Sequence, residues 1–592
     1  MKHSQLITVI VLATAFVASP TVAQKTQEEA MTLQAERTGR MSTYVENYNA
    51  DKEALDREFV LEESEEYYDR MAAFYETWLQ RLSEIDYGRP SVDDAVDFIL
   101  LRRNVRHDRA EMQTERSSYQ DVRGLFPFSD IIQNIQQKRS IGQDLEGAVL
   151  ARTLDSLVTS IQQQQDSLKN AERLSPAHSR RAAAVAENLH ETLENAYSFY
   201  DGYDPDVTWW GKKPYARADT TLANYASFLE EWRTSGGAYE DDESGIVGDP
   251  VGREKLLSLL DYAMISYTPK ELVSIAETEY EWCMTQMLAA SRELGYGDDW
   301  KAALNHVKNS YVPAGKQPEL IHDLAIEATN FVEDRDLLTV PDLAKETWRM
   351  EMMTPERQLI NPYFLGGEVI RISYPTNTMD HEDKMMSLRG NNPHMSKATV
   401  HHELIPGHHL QGFYEERYNT YRDPFWTPFW TEGWALYWEL QLWDMGFPDS
   451  PEDRIGMLFW RMHRTARIIF SLNYHLGKMS PQEAIGFLVE KVGHEPANAK
   501  AEVRRSVSAG YPPLYQAAYL LGGLQVRSMY KNMVKNGDMP VKEFHDTILK
   551  AGNMPLEMTR FLLRGEKPPK DFETSWQFYE EFDYTDYSDS SR

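Results

Sequence analysis

Four of the 16 histidines in this 592-residue chain fall between His401 and His409, in the run Val400-His401-His402-Glu403-Leu404-Ile405-Pro406-Gly407-His408-His409-Leu410-Gln411. Clustered histidines with a carboxylate beside them are candidates for a metal. In a zinc peptidase helix of the H-E-x-x-H type, two histidines four apart share one face and the glutamate beside the metal is the general base. Here the position four after His402 is Pro406, and the next histidine is six away. Six residues of unbroken helix turn by about 240° and rise about 9 Å, so His402 and His408 would diverge. Pro406 supplies a reason for a break, having no N–H for the His402 carbonyl and a ring that clashes with it, and Gly407 accepts almost any backbone conformation. A widened turn there would bring His408 beside His402 with Glu403 facing the metal. If the Pro-Gly pair instead ends one helix and starts another, the histidines are ordinary cap or core residues.

A catalytic zinc needs a third protein ligand, and gluzincin-type sites take a glutamate from a second helix downstream. The stretch from Thr427 to Leu440 opens with an N-cap signal at Thr427-Pro428 and runs on to a stop at Gly446. Glu432 lies near its start. Glu439, seven residues on, shares nearly the same face and is placed to orient a histidine ring. A glutamate near a helix N-terminus is also favoured by the dipole alone. Carboxylates flanked by Trp430, Trp434, Tyr437 and Trp438 are nevertheless costly without a cation or hydrogen-bond partner.

His402-Glu403-x-x-Pro406-Gly407-His408-His409-x-Gln411, followed by Glu432-Gly433-Trp434-Ala435-x-Tyr437-x-Glu439, resembles the bacterial domain-of-unknown-function 885 family, a set of predicted gluzincin-like metallopeptidases. The likeness continues through Arg467, His475, Arg505, Tyr515, Gln516, Tyr519 and Arg527. It implies a mainly α, multi-helix metallopeptidase body with a central cleft, and a zinc held by His402, His408 and Glu432 with Glu403 as base. Two departures bear on the substrate-facing surface. The family's usual Asp-x-Gly-x-His run is Ser471-Leu472-Asn473-Tyr474-His475 here, and the tyrosine usual after Arg505 is Ser506.

The elements that must position these groups are helical. From Gln24 to about Val340 the sequence is rich in Glu, Gln, Arg, Ala and Leu, with helix-period patterns over Glu65 to Ile85, Val92 to Asp121, Leu145 to Ala171 and Pro176 to Phe199. Thr268-Pro269-Lys270-Glu271 combines an N-cap, Pro at N1 and a capping-box glutamate. Behind it Leu272, Ile275, Ala276, Cys283, Met287 and Ala290 form a core stripe. Between Phe364 and Thr378 the chain turns β-branched, around Gly366-Gly367-Glu368-Val369-Ile370-Arg371-Ile372. A short strand beside the metal helix would serve either to pair with an extended peptide or as a structural hairpin. Gly236 to Asp249 reads as a surface excursion.

The ends and the charge narrow the function. Leu6 to Ala18 is apolar, and small residues at Thr21-Val22-Ala23 precede Gln24, which reads as a signal peptide over 1–23. No cysteine follows it to take a lipid, and no second apolar run is long enough to span a membrane. The expected location is periplasmic or secreted. Cys283 is the only cysteine, so no internal disulfide can form, and a buried hydrophobic role is expected for it. A net charge of −30 without a basic stripe argues against nucleic acid. The mature chain is expected to divide into a helical region at 24–340, a zinc-site region at 341–570 that forms one body with it, and an acidic aromatic tail at 571–592 whose first half docks through its aromatics.

The reading is therefore an exported zinc peptidase acting on short peptides, with Glu403 as base and His475, Arg505 and Tyr519 near the substrate. A guanidinium suits a peptide carboxylate, and a tyrosine hydroxyl suits a developing oxyanion. The rivals are a metal-dependent hydrolase of a non-peptide bond and a non-catalytic exported protein with a structural metal. A general base has no use in the latter.

Overall fold

Capping signals in the sequence mark where helices begin in the computed structural model, which describes residues 40–582 apart from 89, 235–241, 359, 360, 362, 509 and 510. The expected N-terminal helices are Glu65–Glu84, Val92–Val122, Gly147–Leu168 and Pro176–Tyr200. Thr268 caps Pro269–Glu293 with both halves of the capping box present, and the stripe from Leu272 to Ala290 is buried along it. Cys283 is a buried free thiol, and burial pushes it up to about 12. The segments expected at 1–23 and at the end of the tail, 583–592, lie outside the described residues, as does part of the 236–249 excursion.

The protein is mainly helical, and the one sheet among the described residues has two parallel strands, β1 (Arg349–Met352) and β2 (Val369–Ile372). The expected strand is thus present; its strand partner is the parallel β1, and its own lead-in folds back on it at one antiparallel bridge. The far edge of β2 is closed at Arg371, which exchanges backbone hydrogen bonds with Leu365 at 3.0 and 2.7 Å. At Arg371 an extended peptide therefore finds no free backbone on β2, and the lead-in Tyr363 to Gly367 is what lines the site.

Six helices carry the chemistry: α1 (Pro393–Glu403), α2 (His408–Glu415), α3 (Pro428–Asp444), α4 (Pro451–His475), α5 (Pro496–Ser508) and α6 (Tyr515–Tyr530). α3 is apolar all round and buried, as a central helix must be. It packs along α6 at a crossing where a Cβ on Gly433 would stand 2.6 Å from Gly522 Cα, and one on Gly522 would stand 2.1 Å from the Phe429 carbonyl oxygen. Only glycine lets these backbones meet.

The boundary expected near 340 is not where the apolar clusters divide. One cluster joins residues from Met41 to Trp232, with Met264, Phe425, Ala551, Met554 and Met558 added from later in the chain. The other, which surrounds the six helices, begins at Ile246, because Pro269–Glu293 packs along α4 and Gln317–Asp334 along α1. Trp576 and Phe578 of the tail are buried in this second cluster, and the Tyr579 hydroxyl donates to Glu279 at 3.1 Å.

Candidate metal centre

α1 ends at Glu403, and the Leu404 N–H still bonds the Val400 carbonyl at 2.9 Å. The chain then crosses a cis Ile405-Pro406 peptide, and the Gly407 N–H returns to the His401 carbonyl at 3.0 Å, closing a wide turn before α2 starts at His408. Gly407 combines φ −79° with ψ −134°, outside the β and α regions open to other residues, as the expected freedom of glycine allows. Space adds a second demand: a Cβ there would stand 1.9 Å from the His402 carbonyl oxygen. The turn brings the His402 and His408 rings to 4.8 Å between centroids, at 90° to each other.

Glu432 reaches in from the second turn of α3. Its Oε2 lies 3.5 Å from His402 Nε2 and 3.2 Å from His408 Nε2, and the ligand atoms of the three residues lie within 4.8 Å of one another. This group could hold a metal ion. His409 stands elsewhere, buried, with Nε2 2.7 Å from the Ala344 carbonyl.

The surroundings fit a cation. His402 Nδ1 lies 2.7 Å from Glu439 Oε1, the partner expected for it, and a proton held there leaves Nε2 with a bare lone pair. Arg464 Nη2 holds the same Glu439 oxygen at 3.2 Å. Gln411 is fixed by donating to the Trp430 carbonyl at 3.2 Å, which sets its Oε1 3.5 Å from His408 Nδ1. The Tyr515 hydroxyl donates to Glu432 Oε1 at 2.6 Å, while buried Oε2 has no hydrogen-bond partner among the described residues. Two imidazole lone pairs and a carboxylate oxygen thus converge, a donor set that suits zinc. Without a metal, protons must fill that role. Burial opposes the charging of His402, but Glu432 and Glu439 raise it to about 9. Burial likewise works against Glu432, yet the two histidines hold it well below the usual carboxylate range.

Beside the triad a cavity of about 350 Å³ is lined by Glu403, Glu415, Arg464, Arg467, Arg505 and Tyr519, among others. Burial raises the Glu403 carboxyl above its ordinary value, offset in part by His402 and His408. The Gly366-Gly367 lead-in presses on it so closely that a Cβ on Gly366 would stand 2.0 Å from Glu403 Oε2. The Tyr519 ring lies parallel to His402 at 6.2 Å, with the Arg464 and Arg467 guanidiniums each 4.6 Å from its centroid. Burial pushes its hydroxyl up to about 12.

His475, expected near the substrate, does not line this cavity. It is the last residue of α4, eight positions after Arg467 and so about 12 Å further along the helix axis. Neither ring nitrogen has a hydrogen-bond partner among the described residues, and burial pushes the imidazole down to about 4. Glu415, Arg464 and Tyr511 were not singled out from the sequence. For Arg464 a signal existed: Trp460, Arg464 and Arg467 repeat at helical spacing on one face of α4.

The chain belongs to the family described as "Bacterial protein of unknown function (DUF885)", whose family model matches residues 49–562. No curated protein matches it. Two solved structures share the fold. One, from Shewanella oneidensis, is titled "a putative lipoprotein of unknown function"; it is 17% identical, with a TM-score of 0.66 over 88% of this chain and 99% of its own. The other, "the putative lipoprotein from Colwellia psychrerythraea", is 16% identical, with a TM-score of 0.53 over 91% and 98%. Among the described residues no helix is long and apolar enough to cross a membrane.

Proposed function

We propose that this member of a family without an assigned activity is an exported zinc-dependent peptidase of short peptides. The observation that carries the reading is Glu403. It adjoins ligand candidate His402 in sequence and lines the same cavity, yet it is not one of the three converging residues. A structural metal site needs no such spare carboxylate. A zinc ion, when bound to His402, His408 and Glu432, supplies a Lewis acid for the scissile carbonyl and lowers the pKa of water to about 7.

The remaining work belongs to the chain. Glu403 takes a proton on its carboxylate from the attacking water and returns it to the leaving amine. Its partial burial makes it a stronger base than an exposed glutamate. Tyr519 is the candidate donor to the oxyanion, and Arg505 the candidate anchor for a carboxylate. The signal-peptide pattern at 1–23 supports export, as do the structural neighbours titled lipoproteins, although no cysteine follows this leader to take a lipid.

The test is Glu403→Gln in the zinc-loaded protein, assayed on a peptide library by mass spectrometry with zinc content measured in parallel. The amide keeps the shape and cannot accept the proton, so turnover should fall by on the order of 10²-fold or more with the metal retained. Loss of zinc together with activity would make Glu403 a ligand or a folding residue. Cleavage of matched esters but not of peptides would replace the peptidase by another hydrolase.

A further inference from the structure

The charges facing the cavity are not all matched. Arg464 is bonded to Glu439, and Arg467 Nε to Glu502 Oε1 at 2.6 Å. Arg505, on α5, has no carboxylate within ion-pair distance among the described residues. Its Nε is buried and unbonded there, with the guanidinium 4.7 Å from the Tyr511 ring centroid. Glu415, at the end of α2, is the opposite case. Its Oε1 is buried without a hydrogen-bond partner among the described residues, and no cation stands within ion-pair distance of it there. Burial and the Asp423 charge lift its carboxyl to about 7, against a nearby His408 and a hydrogen bond from Asn553 that leaves Oε1 free.

These two groups flank the triad from different directions. Glu415 lies seven residues beyond His408, about 10.5 Å along the axis of α2, and its charged neighbours are Asp423, Glu416 and His408. Arg505 instead neighbours Tyr519, Glu502, Tyr511 and Glu432. A buried charged group without a close partner of opposite sign is costly, and a ligand that supplies one relieves that cost. A guanidinium and a carboxyl that each lack an ion-pair contact among the described residues, in a single cavity, suit a ligand carrying both charges. The volume, about 350 Å³, is at the small end for ligand sites, and an extended peptide advances about 3.3–3.6 Å per residue.

Resting on the peptidase reading above, we propose that the cavity selects di- and tripeptides free at both ends, with the C-terminal carboxylate on Arg505 and the N-terminal ammonium on Glu415. The two charges also fix the direction of the bound chain. Arg505 and Glu415 are thus specificity residues.

The experiment compares one tripeptide in four forms, free, N-acetylated, C-amidated and doubly blocked, with the zinc-loaded mature protein. Each single block should lower kcat/KM by on the order of 10²-fold, mainly through KM, as expected when one partner of a desolvated charge pair is removed. Arg505→Gln should narrow the free-to-amidated ratio towards one and leave the free-to-acetylated ratio, while Glu415→Gln should do the reverse. Zinc content and circular dichroism show whether each variant is folded. Blocked peptides cleaved as well as free ones, or ratios unmoved by either variant, overturn the proposal. Calorimetry of the same four peptides on zinc-loaded Glu403→Gln separates the two readings. Preferential binding of the free form without any hydrolysis by the wild type would sink the peptidase reading and keep this one; equal binding of all four would sink this one.

Discussion

Gly366→Ala tests whether catalysis depends on the lead-in to β2. The new Cβ would stand 2.0 Å from Glu403 Oε2, 2.6 Å from Glu403 Cβ and 2.8 Å from its Cα. The carboxylate tip can swing away, but the Cβ and Cα belong to the end of α1 and cannot. Restoring an ordinary contact of about 3.4 Å to Glu403 Cβ moves the lead-in and the helix end apart by roughly 0.8 Å. A displacement of about 1 Å at a catalytic group costs on the order of 10²-fold, and overpacking of this kind destabilises by about 1–3 kcal/mol. The ligand side chains are not what the new methyl meets, so zinc content should hold while kcat falls by about 10²-fold. The assay is steady-state hydrolysis of a free tripeptide with metal analysis and thermal unfolding of the same samples. Gly412→Ala is the control: nothing stands within 4 Å of its Cβ, it lies within α2, and alanine favours a helix. Wild-type kcat in Gly366→Ala, with zinc intact, would refute the idea that this contact positions Glu403.

Two further outcomes follow from the geometry. His408→Ala should weaken zinc binding well beyond the roughly 10–100-fold typical of losing an outer hydrogen-bond partner. His409→Ala should leave it nearly unchanged while costing at least about 1–3 kcal/mol of stability, through the orphaned Ala344 carbonyl and the cavity left behind; competition with a chelator reads the first and thermal melting the second, and the reverse order of zinc loss would reassign the ligand. In metal-free protein the folded-state value of His402, about 9, exceeds its ordinary one, so its ion pairs contribute stability that is complete below about pH 6.5 and is lost as pH rises through about 9. Melting temperatures of chelated protein should fall across that window while zinc-loaded protein, whose His402 is neutral throughout, stays level. A flat curve for the chelated form would count against the pairing of His402 with Glu432 and Glu439.

How much was legible depended on how local each constraint is. His402, Pro406, Gly407 and His408 lie within seven positions, so spacing alone posed the problem of a break and pointed to its place. It showed only one of the two demands on Gly407, because the close contact, a carbonyl five residues back, exists only once the turn has closed. The N-cap at Thr427 and the seven-residue interval from Glu432 to Glu439 were likewise readable, since both are helix-internal. Arg464, Tyr511 and Glu415 come from three separate segments and converge only through packing. His475 is the reverse case: it lies off the lining of this cavity, and nothing in the motif that contains it says how far along α4 the cavity extends.

The α3 and α6 crossing shows how a tertiary contact turns local periodicity into a site. Gly433 and Gly522 touch backbone to backbone, which fixes the facing stripes of both helices. Tyr515 lies seven residues before Gly522, nearly two full turns, and so falls on the same stripe of α6, while Glu432 adjoins Gly433 on α3. The 2.6 Å bond from the Tyr515 hydroxyl to Glu432 Oε1 is therefore a consequence of where the glycines meet. That bond occupies one carboxylate oxygen and leaves Oε2 turned towards His402 and His408. Neither glycine stands out in a sequence with 32 of them, yet their contact is what aligns the third candidate ligand with the other two.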